Sequence, residues 1–146
     1  MKRIHYICIV FVLFTFFTSC SKDKQILTSN TWQVESLKVH ADSAVEYRPL
    51  LRGKAIILSF PKINRYELMM EINKHGGNVR VGSSNVIKFR ETLPIDDICC
   101  NSSFAETCSY LLTSKINHYV IEKDELILTG DDGVTVNLIK QKGGKR

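Results

Sequence analysis

Cysteine, histidine and paired aspartate are the side chains in this sequence best suited to chemistry, and their spacing decides how much chemistry is available. Asp96-Asp97 and Asp131-Asp132 could serve as acid/base pairs or hold a cation. Each pair falls in a predicted loop, and neighbouring side chains on an extended chain point apart, which favours solvated turn acids. Neither pair has the alternating oxygen ligands and distal Glu of a calcium loop. His5, His40, His75 and His118 lie in different segments. None has a Glu at zinc-protease spacing, and no Ser sits in a nucleophile-elbow sequence. A catalytic site would have to be assembled wholly from distant residues, so the expectation is a protein that is not an enzyme and has no cofactor.

The five cysteines divide by position. Lys2 and Arg3 give a positive start, Ile4 to Phe17 a mostly apolar run, and Thr18-Ser19 two small residues directly before Cys20. That order is a secretory leader, and the run falls short of the roughly 20 apolar residues of a spanning helix. The segment resembles a bacterial lipoprotein signal, which implies removal of residues 1–19 and acylation of Cys20 as the first mature residue. Phe17 departs from the aliphatic residue usual at that place. A plain secretory leader with an ordinary cysteine nearby is the alternative. More than one acyl chain is needed for stable attachment, at about 0.8 kcal/mol per buried methylene. Ser21-Lys22-Asp23-Lys24 would then be a polar spacer. The absence of Asp directly after Cys20 resembles outer-membrane sorting, and Cys-Ser-Lys-Asp resembles the surface-export signals of Bacteroidetes lipoproteins. The implied partner is membrane lipid, reached through Cys20.

With Cys8 lost in the leader and Cys20 acylated, Cys99, Cys100 and Cys108 remain. Three cannot all pair within one chain. An oxidising compartment allows one disulfide, Cys108 with either Cys99 or Cys100; a bridge between the adjacent pair would strain the peptide that joins them. Zinc is the sharper alternative, yet adjacent cysteines lack the spacer of zinc knuckles and His118 is the only imidazole nearby in sequence. The expectation is no metal.

The formal charge of +5 falls by two without Lys2 and Arg3. The remaining basic residues, Lys38, Arg52, Lys62, Arg80, Lys88, Arg90, Lys115 and Lys123 among them, are scattered, and the cluster from Lys140 to Arg146 is a Gly-containing tail. Without a basic aromatic platform, nucleic acid is not an expected partner. Residues 20–146 suit one domain with a real core.

The elements that must position these residues are mostly short strands joined by Gly, Asn and Asp turns. Thr31 to Val39 reads as a strand led by Trp32, whose expected place is the core with its indole N–H on a carbonyl. His40 to Gly53 reads as loop, Ala55 to Phe60 as a buried strand, and Pro61 to Asn64 as a turn. Tyr66, Leu68, Met70 and Ile72 alternate with Glu67, Met69 and Glu71, which predicts one wet face. His75-Gly76-Gly77-Asn78 reads as a turn because Gly and Asn tolerate positive φ. Val79 to Val81 and Val86 to Phe89 follow as a pair.

Ser103-Phe104-Ala105-Glu106 has capping-box spacing, and Phe104, Cys108, Leu111, Leu112 and Ile116 form an apolar stripe, so a helix is predicted there. Cys108 on that stripe also suits a small buried hydrophobe. Tyr119 to Glu122, Glu125 to Thr129 and Val134 to Lys140 end the domain as strands. The pattern is α+β: a mainly antiparallel sheet with one packed helix.

From Thr28 to Lys140 the residues resemble a META domain, the small domain of HslJ-type lipoproteins. The likeness rests on Thr31-Trp32, Ile72-Asn73…Gly76-Gly77-Asn78, the Cys-containing loop before Glu106…Leu111-Leu112, and Asn117-His118-Tyr119…Leu126-Ile127-Leu128…Gly133. Glu71-Ile72-Asn73 stands where such domains typically carry Gly-Cys-Asn, so a family cysteine role does not transfer. The resemblance implies a sheet curled toward a small barrel and an envelope protein loosely linked to stress or drug tolerance, with no catalytic residues. The implied organisation is a leader over 1–19, a lipidated linker over 20–27, the domain over 28–140 and a basic tail over 141–146.

Two functional expectations follow. One is an acyl-anchored, non-enzymatic module that binds another envelope component by a sheet edge or the His40 to Gly53 loop. The other is a lipocalin-like small barrel that holds an apolar ligand or plugs a hydrolase. A filled core favours the first, and a cavity of a few hundred Å³ with apolar walls favours the second. Oligomeric state is not encoded legibly.

Overall fold

The computed structural model describes residues 18–40, 42–46, 54–91 and 101–141. Helix α1 (Thr18–Ser29) precedes strands β1 (Trp32–His40), β2 (Ser43–Glu46), β3 (Ile57–Lys62), β4 (Arg65–Met69), β5 (Lys74–Val81) and β6 (Ile87–Glu91). Helix α2 (Ser103–Ser114) then leads into β7 (Ile116–Glu122), β8 (Glu125–Gly130), a 3-10 turn (Asp131–Gly133) and β9 (Thr135–Lys140). The strands form one antiparallel sheet in the order β6-β5-β4-β3-β1-β9-β8-β7, with β2 added on β1.

The two ends of this row approach each other. Val86, just ahead of β6, bridges His118 in β7, and the Tyr119 N–H donates to the Asn85 carbonyl at 2.9 Å. The sheet nearly closes into a barrel, and α2 packs against both β6 and β7. The result is the α+β, mainly antiparallel architecture that the sequence pattern predicts, with α1 as an additional helix.

Inward positions build one buried core. Trp32, Leu58, Tyr66, Leu68, Leu126, Leu128, Val136 and Leu138 come from the strands, and Ala105, Cys108, Leu111 and Leu112 from α2. In β1 the inward face shifts from Val34 to Leu37, because the β1–β9 register slips between Val34 and Ser36. A bulge adds one residue and so moves the alternation by one. Trp32 is fully buried and its Nε1–H donates to the Leu27 carbonyl at 3.0 Å, as expected of a core indole. Leu27 is itself buried, so the C-terminal part of α1 belongs to the core.

Four local expectations change. The predicted loop after His40 contains β2, which folds back on Ser36 to His40, where β1 runs on beyond its pairing with β3. Pro61 and Lys62 continue β3, and the turn narrows to Ile63-Asn64. His75 to Asn78 is strand, not turn. Gly77 pairs with Tyr66, and across it the Tyr66 ring meets Phe89 of β6 edge-on, with centroids 5.0 Å apart. A strand glycine leaves room for its large neighbours, so the pairing of three strands outweighs local turn propensity.

The reversal instead occupies Met70 to Asn73, where the Met70 N–H donates to the Asn73 carbonyl at 2.8 Å. It ends the alternation and turns Glu71 inward, leaving it 7 % exposed. The fourth change is at the helix start: Ser102, not Ser103, is the N-cap of α2.

The turn between β5 and β6 fits its sequence. Ser84 and Asn85 have φ of 56° and 60°, the paired positive values of a tight hairpin turn that suits strand twist.

Candidate functional site

Among the described residues, those singled out by type do not converge on one site. Cys20 lies in the α1 backbone. Cys99, Cys100 and Asp96-Asp97 fall outside the described residues. Cys108 is a free thiol on the inner face of α2, completely buried, and burial pushes it up to about 12. Such a thiol is neutral and inert. Asp131 and Asp132 are exposed in the 3-10 turn, where Asp131 Oδ1 accepts from Asn117 Nδ2 at 3.0 Å. Among the described residues no group of three His, Cys, Asp or Glu could hold a metal ion.

His40 and His118 are exposed; His118 Nδ1 lies 2.7 Å from Asn117 Oδ1. His75, half-buried on β5, places Nδ1 3.1 Å from Ser109 Oγ on α2. The pair was not legible in sequence, because it joins strand and helix across 34 positions. A serine–imidazole contact can in principle activate a nucleophile, but acyl transfer also needs free amide donors beside the reacting oxygen. Ser109 is 6 % exposed and sits inside α2, where backbone amides are consumed by the helix. The contact satisfies a buried hydroxyl and ties α2 to β5.

Two surface features are better formed. The first is an open groove of about 540 Å³ between α1 and two hairpin ends, lined by Lys24, Gln25, Thr28, Ile63, Val81 and Gly82 together with Ser83. Helical spacing puts Lys24 and Thr28 on one face, and the Thr28 hydroxyl donates back to the Lys24 carbonyl at 3.0 Å. Its engaged hydroxyl makes that wall less polar. Leu27 and the Trp32 indole pin the end of the helix, Ile63 and Val81 supply the opposite apolar wall, and Lys24 and Gln25 provide the polar rim. The volume is in the range that holds small ligands.

The second is a basic wall. Arg65 pairs with Asn78, Asn78 with Arg90, and Arg80 with Lys88, so these side chains share the outer face of β4, β5 and β6. All are exposed. Asn64, Asn78, Arg80, Lys88 and Arg90 border a shallow hollow of about 340 Å³ with Val79. The ion pair recorded among the described residues, Lys74 to Glu67 at 2.7 Å, does not include any of the four cations. Residues scattered in sequence thus become a cluster in space. The signal was present as the alternation of Lys88 and Arg90 on one strand opposite Arg80 on its neighbour.

The strands define a barrel-like β-sheet domain with an open groove at its α1 end. Among solved structures, the chain is similar to a protein from Burkholderia xenovorans determined by NMR, with 17% identity, a TM-score of 0.61, and coverage of 82% of this chain and 87% of that one. It is also similar to a crystal structure of a DUF4847 family protein from Bacteroides vulgatus ATCC 8482, with 12% identity, a TM-score of 0.61, and coverage of 82% and 98%. At these identities the likeness is one of fold. No family model and no curated protein matches the chain.

Proposed function

We propose that this protein is a non-catalytic domain that binds a small, largely apolar ligand at the α1-covered end of its barrel, and that acylated Cys20 holds it at a membrane of the cell envelope. The observation that carries the ligand reading is the groove of about 540 Å³ walled by Ile63, Val81 and Gly82. The groove lies beside the buried core cluster, so the proposed ligand place is under α1 at the mouth. Lys24 and Gln25 at the rim suit a ligand with one polar end. The leader-like residues from Lys2 to Cys20 support the anchored address, and no helix among the described residues is long and apolar enough to cross a membrane.

Titration with the neutral fluorophore N-phenyl-1-naphthylamine tests the groove. Saturable binding is expected, weakened at least about tenfold by Ile63→Asp, since a charge in an apolar contact costs well over 1 kcal/mol. Val45→Asp, at an exposed apolar residue on β2 that does not line the groove, should leave binding unchanged. No saturable binding, or equal loss in both variants, refutes the reading.

A further inference from the structure

We infer that the outer face of β4, β5 and β6 is a docking surface for an anionic lipid leaflet. Four cations, Arg65, Arg80, Lys88 and Arg90, stand on one exposed face around Asn78. Arg80 and Lys88 are direct cross-strand partners, a placement that repels and is relieved when an anionic surface covers it. No described carboxylate forms an ion pair with any of the four.

The observations favour a lipid surface over a dissolved polyanion. Ile63, 61% exposed, projects from the β3–β4 turn with Lys62 and Arg65 paired at its base. Its neighbour Asn64 borders the basic hollow, and the Asn64 carbonyl accepts the Val79 N–H at 2.9 Å. An exposed aliphatic side chain beside a group of cations is the combination that enters a headgroup layer, the apolar part inserting while the charges meet lipid phosphates. Aromatic side chains on which bases could stack are absent from the residues bordering the hollow.

Position adds a second argument. Lys24 of α1 lines the groove that Ile63 also lines, and Cys20 lies one helical turn before Lys24. The position expected to carry acyl chains, the projecting isoleucine and the basic wall are therefore neighbours at one end of the molecule. The inference rests on the anchored reading above, with acyl chains holding the domain at the leaflet and the basic wall fixing how it lies. That orientation brings the mouth of the groove toward the lipid, from which an apolar ligand would enter.

The acylated full chain carrying Ile63→Trp, reconstituted into vesicles of brominated phosphatidylcholine with or without brominated phosphatidylglycerol, tests this. The introduced indole should be quenched at least about twofold more when phosphatidylglycerol is present, and that excess should fade at about 0.5 M NaCl, where the screening length is only a few Å. Trp32, fully buried, gives a constant background. Adding R80Q/K88Q/R90Q should weaken docking about a hundredfold, at roughly fivefold per cation, whereas R80K/R90K should retain it. Equal quenching with and without phosphatidylglycerol, no quenching in either, or a phosphatidylglycerol-dependent excess that survives the glutamine changes would overturn the inference. Tight, R80Q/K88Q/R90Q-sensitive binding of a single-stranded oligonucleotide without vesicle quenching would overturn it in favour of a polyanion reader. Intact mass separates the two readings: an unmodified Cys20 defeats the anchor, while an acylated, vesicle-bound chain whose indole stays unquenched defeats only the docking face.

Discussion

Glu71 holds Ser102 with both carboxylate oxygens: Oε2 accepts the Ser102 N–H at 2.8 Å and Oε1 accepts its hydroxyl at 3.1 Å. Ser102 Oγ in turn accepts the Ala105 N–H at 3.1 Å and so caps α2. In a capping box, a Glu three residues into the helix returns a bond to the N-cap amide. Here Ala105 stands at that place, and Glu71 supplies the bond from the β4–β5 turn. Asn101 reinforces the join: its Oδ1 accepts the Ile72 and Asn73 amides at 3.3 and 3.2 Å, while its Nδ2 donates to Glu106 at 2.7 Å.

This arrangement predicts which serine matters. Ser102→Ala should lower unfolding free energy by about 1–2 kcal/mol, from loss of the cap and of one partner of a buried carboxylate. Ser103→Ala, at an exposed position, should change it by less than about 0.5 kcal/mol. Chemical denaturation of both variants checks this; the reverse order would restore the capping box read from Ser103 and Glu106. A double-mutant cycle between Glu71→Ala and Ser102→Ala should give a coupling of about 1 kcal/mol.

Trp32 reports on α1. Its indole N–H holds the Leu27 carbonyl, so Trp32→Phe should cost about 1–3 kcal/mol through an unpaired buried carbonyl and lost volume. Hydrogen exchange should speed up most in α1. The wild-type protein has a single Trp, and its emission should be blue-shifted and poorly quenched by acrylamide until the fold melts.

The buried thiol makes stability fall at alkaline pH. Cys108 is raised from 9.0 to about 12 in the folded chain, so the unfolded state loses its proton first. Its contribution is complete below pH 9.0 and is lost as pH rises through the folded value near 12. The expected slope between them is up to about 1.4 kcal/mol per pH unit. Cys108→Ala should be less stable at neutral pH through the volume it removes from the core, with the gap to wild type narrowing above pH 9.0 as the wild type alone loses stability. Denaturation curves at stepped pH measure the slope, and thiol reagents should leave Cys108 unlabelled in the native protein.

Gly130 fills a close crossing. A Cβ there would lie 2.3 Å from the Lys115 carbonyl oxygen and 2.8 Å from its carbon, where the chain leaves α2. Both are backbone atoms, so Gly130→Ala should destabilise by at least about 2 kcal/mol through forced displacement. Gly82→Ala meets nothing nearer than 3.5 Å and should be within about 0.5 kcal/mol of wild type. Thermal melts of the two variants decide it.

Local pattern and residue type determined the antiparallel meander from β7 to β9, the apolar stripe of α2 and the core place of Trp32, because each is set within a short window by alternation, helical spacing or the character of one large side chain. The leader-like pattern ending at Cys20 is equally local. Only tertiary structure decided that Gly76-Gly77 is strand, that Glu71 turns inward to cap a helix 31 positions away, that His75 meets Ser109, and that Arg65, Arg80, Lys88 and Arg90 share one wall. These depend on which strands pair and in what register. A register fixes the neighbours of every side chain at once, and the free energy that selects it is shared among contacts too far apart in sequence for a local pattern to register them.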